Sequence, residues 1–156
     1  MRWFAIVPMA AYLLIAMAVG VRLLLLSRRT RQLPEFALGA GLTAISLLGQ
    51  PLSAAGRSPA LIGRPLGDAL FVAGVVIAHV GLLLLFVFTW SVFRRSVTWA
   101  RALVAAAGVA LATAAAGLIA VGLGETDMAL IFERTRPYAI ASVATVTACF
   151  LWNGIE

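Results

Sequence analysis

Five long apolar runs fill most of the chain, and arginine stands in each of the four breaks between them. About 20 mainly apolar residues form an α-helix long enough to cross a hydrocarbon core of about 30 Å. The alternation of apolar and polar residues that a membrane β-barrel needs is absent. We therefore predict an all-α, polytopic transmembrane bundle in a single domain. Its spans are expected at residues 3–26, 36–52, 66–93, 102–123 and 137–155.

The composition argues against a soluble fold. Hydrophobic residues make up 63% of the chain and charged residues 12%, whereas a soluble domain is typically about 45–50% apolar and about 25% charged. So small a soluble domain could not cover this much apolar surface with so few polar residues. The lipid bilayer is therefore the expected partner of most of the surface.

The net charge of +6 comes from arginine alone, because the chain has no lysine. The arginines stand in the breaks, as in membrane loops, and not on one polar face as in a nucleic-acid-binding protein. We therefore expect no nucleic-acid partner. Without lysine, no retinal or pyridoxal Schiff base can form. A single cysteine, Cys149, allows no internal disulfide.

No motif for catalysis is present. The serines and threonines lack the histidine and carboxylate that would activate a nucleophile. Neither a G-x-x-x-x-G-K-[ST] phosphate loop nor an H-E-x-x-H zinc pair occurs. The single histidine excludes a haem held by two histidines of this chain, and leaves only a histidine–methionine pair open. We predict a protein that is not an enzyme, with no catalytic residue, cofactor or metal site.

The breaks differ in length and character. Residues 27–35 indicate a compact basic loop, and residues 51–65, rich in proline, glycine and serine, indicate the longest irregular connection. Within residues 124–136, a short apolar core at 128–132 predicts a helix on the membrane surface. We interpret the first run as a signal anchor and not a cleaved signal peptide, because its apolar residues continue past the small-residue site at 16–18.

Five polar positions inside the spans are the candidate functional residues. On the second span, Thr43, Ser46 and Gln50 stand at steps of three and four, which predicts one shared face toward other helices. His79 lies near the middle of the third span, where an ionisable residue suggests a functional site by default. Asn153 stands near the end of the fifth span and could contribute to a polar patch at one membrane face.

Helix packing is the alternative explanation for these positions. A polar side chain in hydrocarbon is costly unless it finds a partner. We therefore expect His79 to face other helices, bonded to Thr113 or to a hydroxyl group of the second span. Asn153 would then only flank an interfacial tryptophan anchor.

Small residues recur on two spans at helical spacing. The third span carries Gly67, Gly74 and Gly81, and the fourth carries small residues at every fourth position. Such stripes let helix backbones approach closely. We expect them to pack within the bundle; the alternative is an interface with a second copy of the chain or with a partner membrane protein.

The arginines also predict an orientation. Orientation follows arginine and lysine in short loops near the helix ends. With the N-terminus outside the cytoplasm, seven arginines lie inside and five outside. Three of the inner ones stand within residues 28–31, directly after the first span. We expect an integral protein of a bacterial inner membrane with its N-terminus outside.

Several features together resemble the front part of uncharacterised bacterial seven-helix membrane proteins. They are the basic block Arg28-Arg29-Thr30-Arg31, Pro34-Glu35, the pair Arg94-Arg95 between tryptophans, and the closing residues 152–156. The resemblance covers the whole chain and implies two further helices beyond Glu156, so that the chain would be a fragment of a longer protein. It implies no activity.

Two functions remain in view. The first is a non-enzymatic membrane module, namely a sensor, scaffold or assembly component that acts through helix packing and its loops. The alternative is a small transporter or channel-like subunit, which needs a polar path through the bundle. Such a path would use Thr43, Ser46, Gln50 and His79. A water-accessible cavity joining these residues would favour transport, and a dry interior would favour the module.

Overall fold

The computed structural model describes residues 3–154, and this part of the chain forms five long helices and no strand. The helices are α1 (Trp3–Thr30), α2 (Leu33–Gly56), α3 (Pro65–Phe93), α4 (Thr98–Gly124) and α5 (Met128–Gly154). The predicted all-α architecture is confirmed. It follows from the apolar runs, since a helix satisfies all of its backbone hydrogen bonds within one segment.

Four helices of the described chain, α1 to α4, are long and apolar enough to cross a membrane. The fifth, α5, has a similar length, but its first turns carry Glu133, Arg134 and Arg136 ahead of Pro137. All five helices have the length of a membrane span, as predicted. That α5 also crosses the membrane stays a prediction.

The first break is much shorter than predicted. Residues 27–35 do not form a loop, because α1 continues to Thr30 and α2 begins at Leu33. The helical hydrogen-bond pattern of α1 continues one residue further, because the Arg31 amide donates to the Ser27 carbonyl at 2.8 Å. Arg31 then takes a left-handed φ of 55° that turns the chain, and the Thr30 hydroxyl donates to Glu35 across the turn. Arginine is a good helix former, so charge alone does not mark the end of a helix.

The predicted surface helix at 128–132 is also wrong, because these residues are the first turns of α5. The side chain of Asp127 accepts a hydrogen bond from the Ala129 amide at 2.8 Å, as an N-capping residue does. Arg134 lies 3.4 Å from Glu125, which ties the new helix to the end of α4. These contacts start the helix well before Pro137.

The helices pack in chain order. Each contacts the next one, and α5 also reaches back to α3. Within the described residues, the backbones of α1 and α5 do not come close to each other. The bundle is therefore a row folded around α3, with α1 and α2 on one side of that helix and α4 and α5 on the other.

The closest helix contact is the seam between α2 and α3. All three glycines of the α3 stripe are buried in it. A Cβ atom added at Gly74 would lie 2.7 Å from the Gly49 carbonyl oxygen, and one added at Gly81 would lie 2.8 Å from the Gly41 carbonyl oxygen. No side chain fits between backbones this close. The α3 stripe therefore packs within the chain, as expected from its spacing.

The stripe on α4 behaves differently. A Cβ atom at Gly108 would first meet Leu83 at 3.5 Å, which is ordinary van der Waals contact. Ala112 and Ala116 are exposed in a shallow groove of about 330 Å³ beside α3. The α3–α4 contact is made instead by larger side chains, with Phe86 and Leu111 at its centre. This second stripe therefore does not bring two backbones together within the described chain.

Candidate functional site

A cleft of about 440 Å³ lies over the middle of α3. Side chains of α1 and α2 form one wall, those of α5 form the other, and one leucine of α4 completes the lining. In the described chain the backbones of α1 and α5 stay apart, and the cleft lies between these helices. Most of the lining is apolar, and its polar members are Tyr12, Gln50, His79, Ser142 and Thr147. Within the described chain, no charged residue lines it.

The imidazole of His79 joins α3 to α5 in this cleft. Its Nδ1 lies 2.8 Å from the carbonyl oxygen of Val75, one turn earlier on α3. Its Nε2 lies 3.1 Å from the hydroxyl oxygen of Ser142 on α5. Ser142 is buried and His79 is half-buried. The bond links the centres of two helices.

The predicted partners of His79 are wrong. Thr113 is exposed and donates to its own helix at the Val109 carbonyl, 2.9 Å away. The partner is Ser142, on a helix that the sequence offered no reason to prefer. A serine in the middle of a helix usually bonds the carbonyl four residues earlier, as Ser142 also does with Tyr138 at 3.0 Å. Such a residue carries no sequence signal of a contact 63 positions away.

The Val75 carbonyl group fixes which ring nitrogen of His79 donates and which one accepts. A carbonyl oxygen can only accept, so Nδ1 of His79 carries a hydrogen toward Val75. In the neutral imidazole Nε2 is then an acceptor, and Ser142 donates to it. The same hydroxyl hydrogen is also within reach of the Tyr138 carbonyl. One O–H group therefore faces two acceptors.

The polar residues of α2 do not share a face. A π-helical segment, Ala44–Gly49, interrupts the α-helix between Thr43 and Gln50 and changes the rotation per residue. The Thr43 hydroxyl oxygen is buried, has no hydrogen-bond partner in the described chain, and would lie 2.6 Å from a Cβ atom at Gly20 on α1. The predicted common face is therefore wrong.

Of the three α2 positions, only Gln50 reaches the cleft. Ser46 is buried and donates to the carbonyl of Leu42 on its own helix at 2.7 Å. Gln50 is exposed and lines the cleft with His79. The side chain of Asn153 lies outside the part that the structure describes. The structure thus brings together two of the five predicted positions, and adds Tyr12, Ser142 and Thr147 to them.

One charge sits at the end of the α2–α3 seam. Arg57 is only 7% exposed, bonds the Asp68 carboxylate at 3.0 Å and stacks over the Phe71 ring, 4.2 Å from its centre. The sequence predicted an irregular connection at residues 51–65, but α2 continues to Gly56 and Arg57 follows it directly. Asp68 is thus used in an ion pair, and Asp127 caps α5. Among the described residues, no three His, Cys, Asp or Glu side chains group as metal ligands.

Comparisons with protein-family models, with curated proteins and with solved structures find no match for this chain.

Proposed function

We propose that this chain is a non-enzymatic membrane module, a sensor, scaffold or assembly component that works through its helix contacts. One observation supports this proposal above all: the polar groups inside the bundle are enclosed at separate places and do not line a common path. His79 bonds Ser142 on α5, Ser46 bonds its own helix, and Thr43 is enclosed against α1. Buried polar groups of this kind hold helices in register.

The transporter alternative needs a polar path, and the geometry favours it less. Of the four residues that would form the path, only Gln50 and His79 share the cleft. The cleft is mainly apolar and opens sideways between α1 and α5. A path for ions would have to be continuous along the bundle and offer closely spaced oxygen or nitrogen ligands.

A flux assay separates the two functions. The purified protein is reconstituted in liposomes, and proton, sodium and potassium fluxes are measured under an imposed membrane potential. We expect fluxes equal to those of protein-free liposomes. A flux that is present in the wild type, lost in His79→Leu and retained in Thr113→Ala would overturn the module and establish transport. Thr113 is a suitable control because it lies outside the cleft and bonds its own helix.

We further propose that the protein sits in a bacterial inner membrane with its N-terminus outside. The turns α1–α2 and α3–α4 lie at one end of the bundle, and Arg28, Arg29 and Arg31 flank the first of them without a neighbouring salt bridge in the described chain. At the other end, Arg57 and Arg134 are paired with carboxylates. Three arginines within four residues at this very short turn support the first end as the cytoplasmic one.

Alkaline phosphatase fusions test the orientation, because the enzyme is active only outside the cytoplasm. A fusion after Ser58, in the α2–α3 connection, should be active, and one after Arg95 should be inactive. The reverse pattern would contradict the proposed orientation and would leave the helix packing untouched.

A further inference from the structure

The hydrogen bonds around His79 leave room for one more donor. Ser142 has a single hydroxyl hydrogen, and two acceptors lie within its reach, Nε2 of His79 at 3.1 Å and the Tyr138 carbonyl at 3.0 Å. A second donor in the cleft, placed on Nε2, would let Ser142 keep its bond to α5. The neutral cluster is thus satisfied more fully when the cleft holds a molecule that donates a hydrogen bond.

A proton on Nε2 is the other way to supply that donor. It would leave a cation near the centre of a membrane helix. Such a charge is expensive unless a carboxylate or another anion faces it. The cleft lining from all five helices contains no aspartate or glutamate in the described chain, and Tyr12 is its only other titratable side chain. A neutral donor therefore fits the cleft better than a proton.

The lining also limits what kind of molecule fits. A cleft of about 440 Å³ lies within the range of small-molecule sites, which are mostly apolar with a few placed polar groups. A ligand with a charged head group would find no residue of opposite charge in the lining. The carboxamide of Gln50 is exposed in the same cleft and can both donate and accept. The complementary head is uncharged and carries a hydroxyl group.

The route into the cleft is from the side. The backbones of α1 and α5, the two helices that border the opening, stay apart in the described chain. Tyr12 and Val143 line the cleft from these two helices and are 55% and 65% exposed. In a bilayer this opening faces lipid, so an apolar tail could stay in the hydrocarbon while the head enters.

We propose that the cleft binds an uncharged, lipid-soluble amphiphile whose hydroxyl group donates a hydrogen bond to Nε2 of His79. This inference deepens the proposed function, because it names the class of molecule that the module would recognise, and it rests on that function for the membrane location. The hydroxyl head lies between α3 and α5 beside Gln50, and the tail leaves between α1 and α5. An occupant of this kind changes the donor on His79 and with it the α3–α5 bond.

The single histidine makes the proposal directly testable. In protein labelled with ¹⁵N-histidine, every imidazole signal comes from His79. The probe is dioctanoylglycerol, which has an uncharged head with a free hydroxyl group. Its methyl ether has the same chains without the donor, and dioctanoyl phosphatidic acid has the same chains with an anionic head. Each is titrated into the protein in detergent micelles at neutral pH.

We expect a saturable change of the Nε2 signal with dioctanoylglycerol, and at least roughly tenfold weaker binding of both the ether and the phosphatidic acid, which corresponds to about 1.4 kcal/mol. Val143→Trp, which fills the cleft without removing a hydrogen-bonding group, should abolish the response. Thr113→Ala should respond as the wild type does, and a helical circular dichroism spectrum equal to that of the wild type checks that the tryptophan variant folds.

Three results would overturn the proposal: no saturable response to the hydroxyl probe, equal responses to the probe and its ether, or a response that survives Val143→Trp. Imidazolium signals at neutral pH without any probe would also overturn it, because a proton would then be the missing donor. None of these results bears on the liposome flux, so the inference can fail while the module proposal stands. A flux that depends on His79 would defeat the module even if the probe binds.

Discussion

The two sides of α3 are built on different principles. On the α2 side, three glycines between residues 67 and 81 bring the backbone of α3 close to backbone carbonyl oxygens of α2. On the α5 side, contacts are few, a cleft opens, and one hydrogen bond from His79 spans the interface. Backbone contact fixes a helix pair in one arrangement, whereas a single side-chain bond beside a cavity permits rearrangement. The α2 side of α3 therefore holds the bundle together, and the α5 side can rearrange.

The largest expected effect of a substitution on the free energy of unfolding is at the α2–α3 seam. Gly74→Ala adds a methyl group 2.7 Å from the Gly49 carbonyl oxygen. Because backbone cannot move aside as a side chain can, we expect a loss of about 1–3 kcal/mol in the free energy of unfolding, or more. Denaturation in mixed micelles, followed by helical circular dichroism, measures it.

Gly108→Ala is the matched control for that change. The same methyl group would meet only Leu83, at 3.5 Å. Alanine otherwise stabilises a helix relative to glycine by about 0.5–1 kcal/mol, so this variant should be as stable as the wild type or slightly more so. Equal destabilisation of the two variants would mean that α2 and α3 are not in backbone contact.

The next effect is at the end of the seam, where Arg57 is buried against Asp68. Asp68→Asn removes the charge that offsets a guanidinium largely out of solvent. Because Asp68 is itself partly exposed, we expect a loss of about 1–3 kcal/mol rather than the larger cost of a fully buried pair. Glu133→Gln removes an exposed negative charge from the first turns of α5 and should change stability by less than about 0.5 kcal/mol. Thermal unfolding followed by tryptophan fluorescence compares the two variants. Similar midpoints would contradict a stabilising ion pair between Arg57 and Asp68.

The smallest effect is expected at the cleft. A double-mutant cycle with His79→Leu and Ser142→Ala should give a coupling free energy near 0.6 kcal/mol, the average for side-chain hydrogen bonds between membrane helices. Equilibrium denaturation of the wild type, both single variants and the double variant provides the four values. A coupling above about 1.7 kcal/mol, the upper end of that range, would make this side as firm as the seam and remove the contrast.

The glycine seam could be predicted from sequence, and the cleft could not. Gly67, Gly74 and Gly81 recur at a period that keeps them on one helix face, and such a stripe predicts a close helix contact, within the bundle or with another chain. The apolar runs predicted the helices for a similar reason, since period and length are local properties. The ends of the helices were less predictable, because Arg28 and Arg29 fit inside a helix as well as in a loop.

The cleft depends on two features that local patterns do not carry. The π-helical segment of α2 rotates Gln50 away from the face of Thr43, and no residue type marks its position. The His79–Ser142 bond joins residues of two helices that are separated by the whole of α4. Helical spacing therefore identified polar positions within the spans, but not which of them would meet.

Distances between spin labels test the contrast between the two sides of α3 most directly. One pair, on Leu47 of α2 and Val92 of α3, spans the seam, and another, on Leu14 of α1 and Ile140 of α5, spans the cleft. All four side chains are exposed, so labels do not disturb packing. With Cys149 replaced by alanine, pulsed electron paramagnetic resonance in liposomes should give one narrow distance distribution across the seam and a clearly broader or divided one across the cleft. Distributions of equal width would contradict the account.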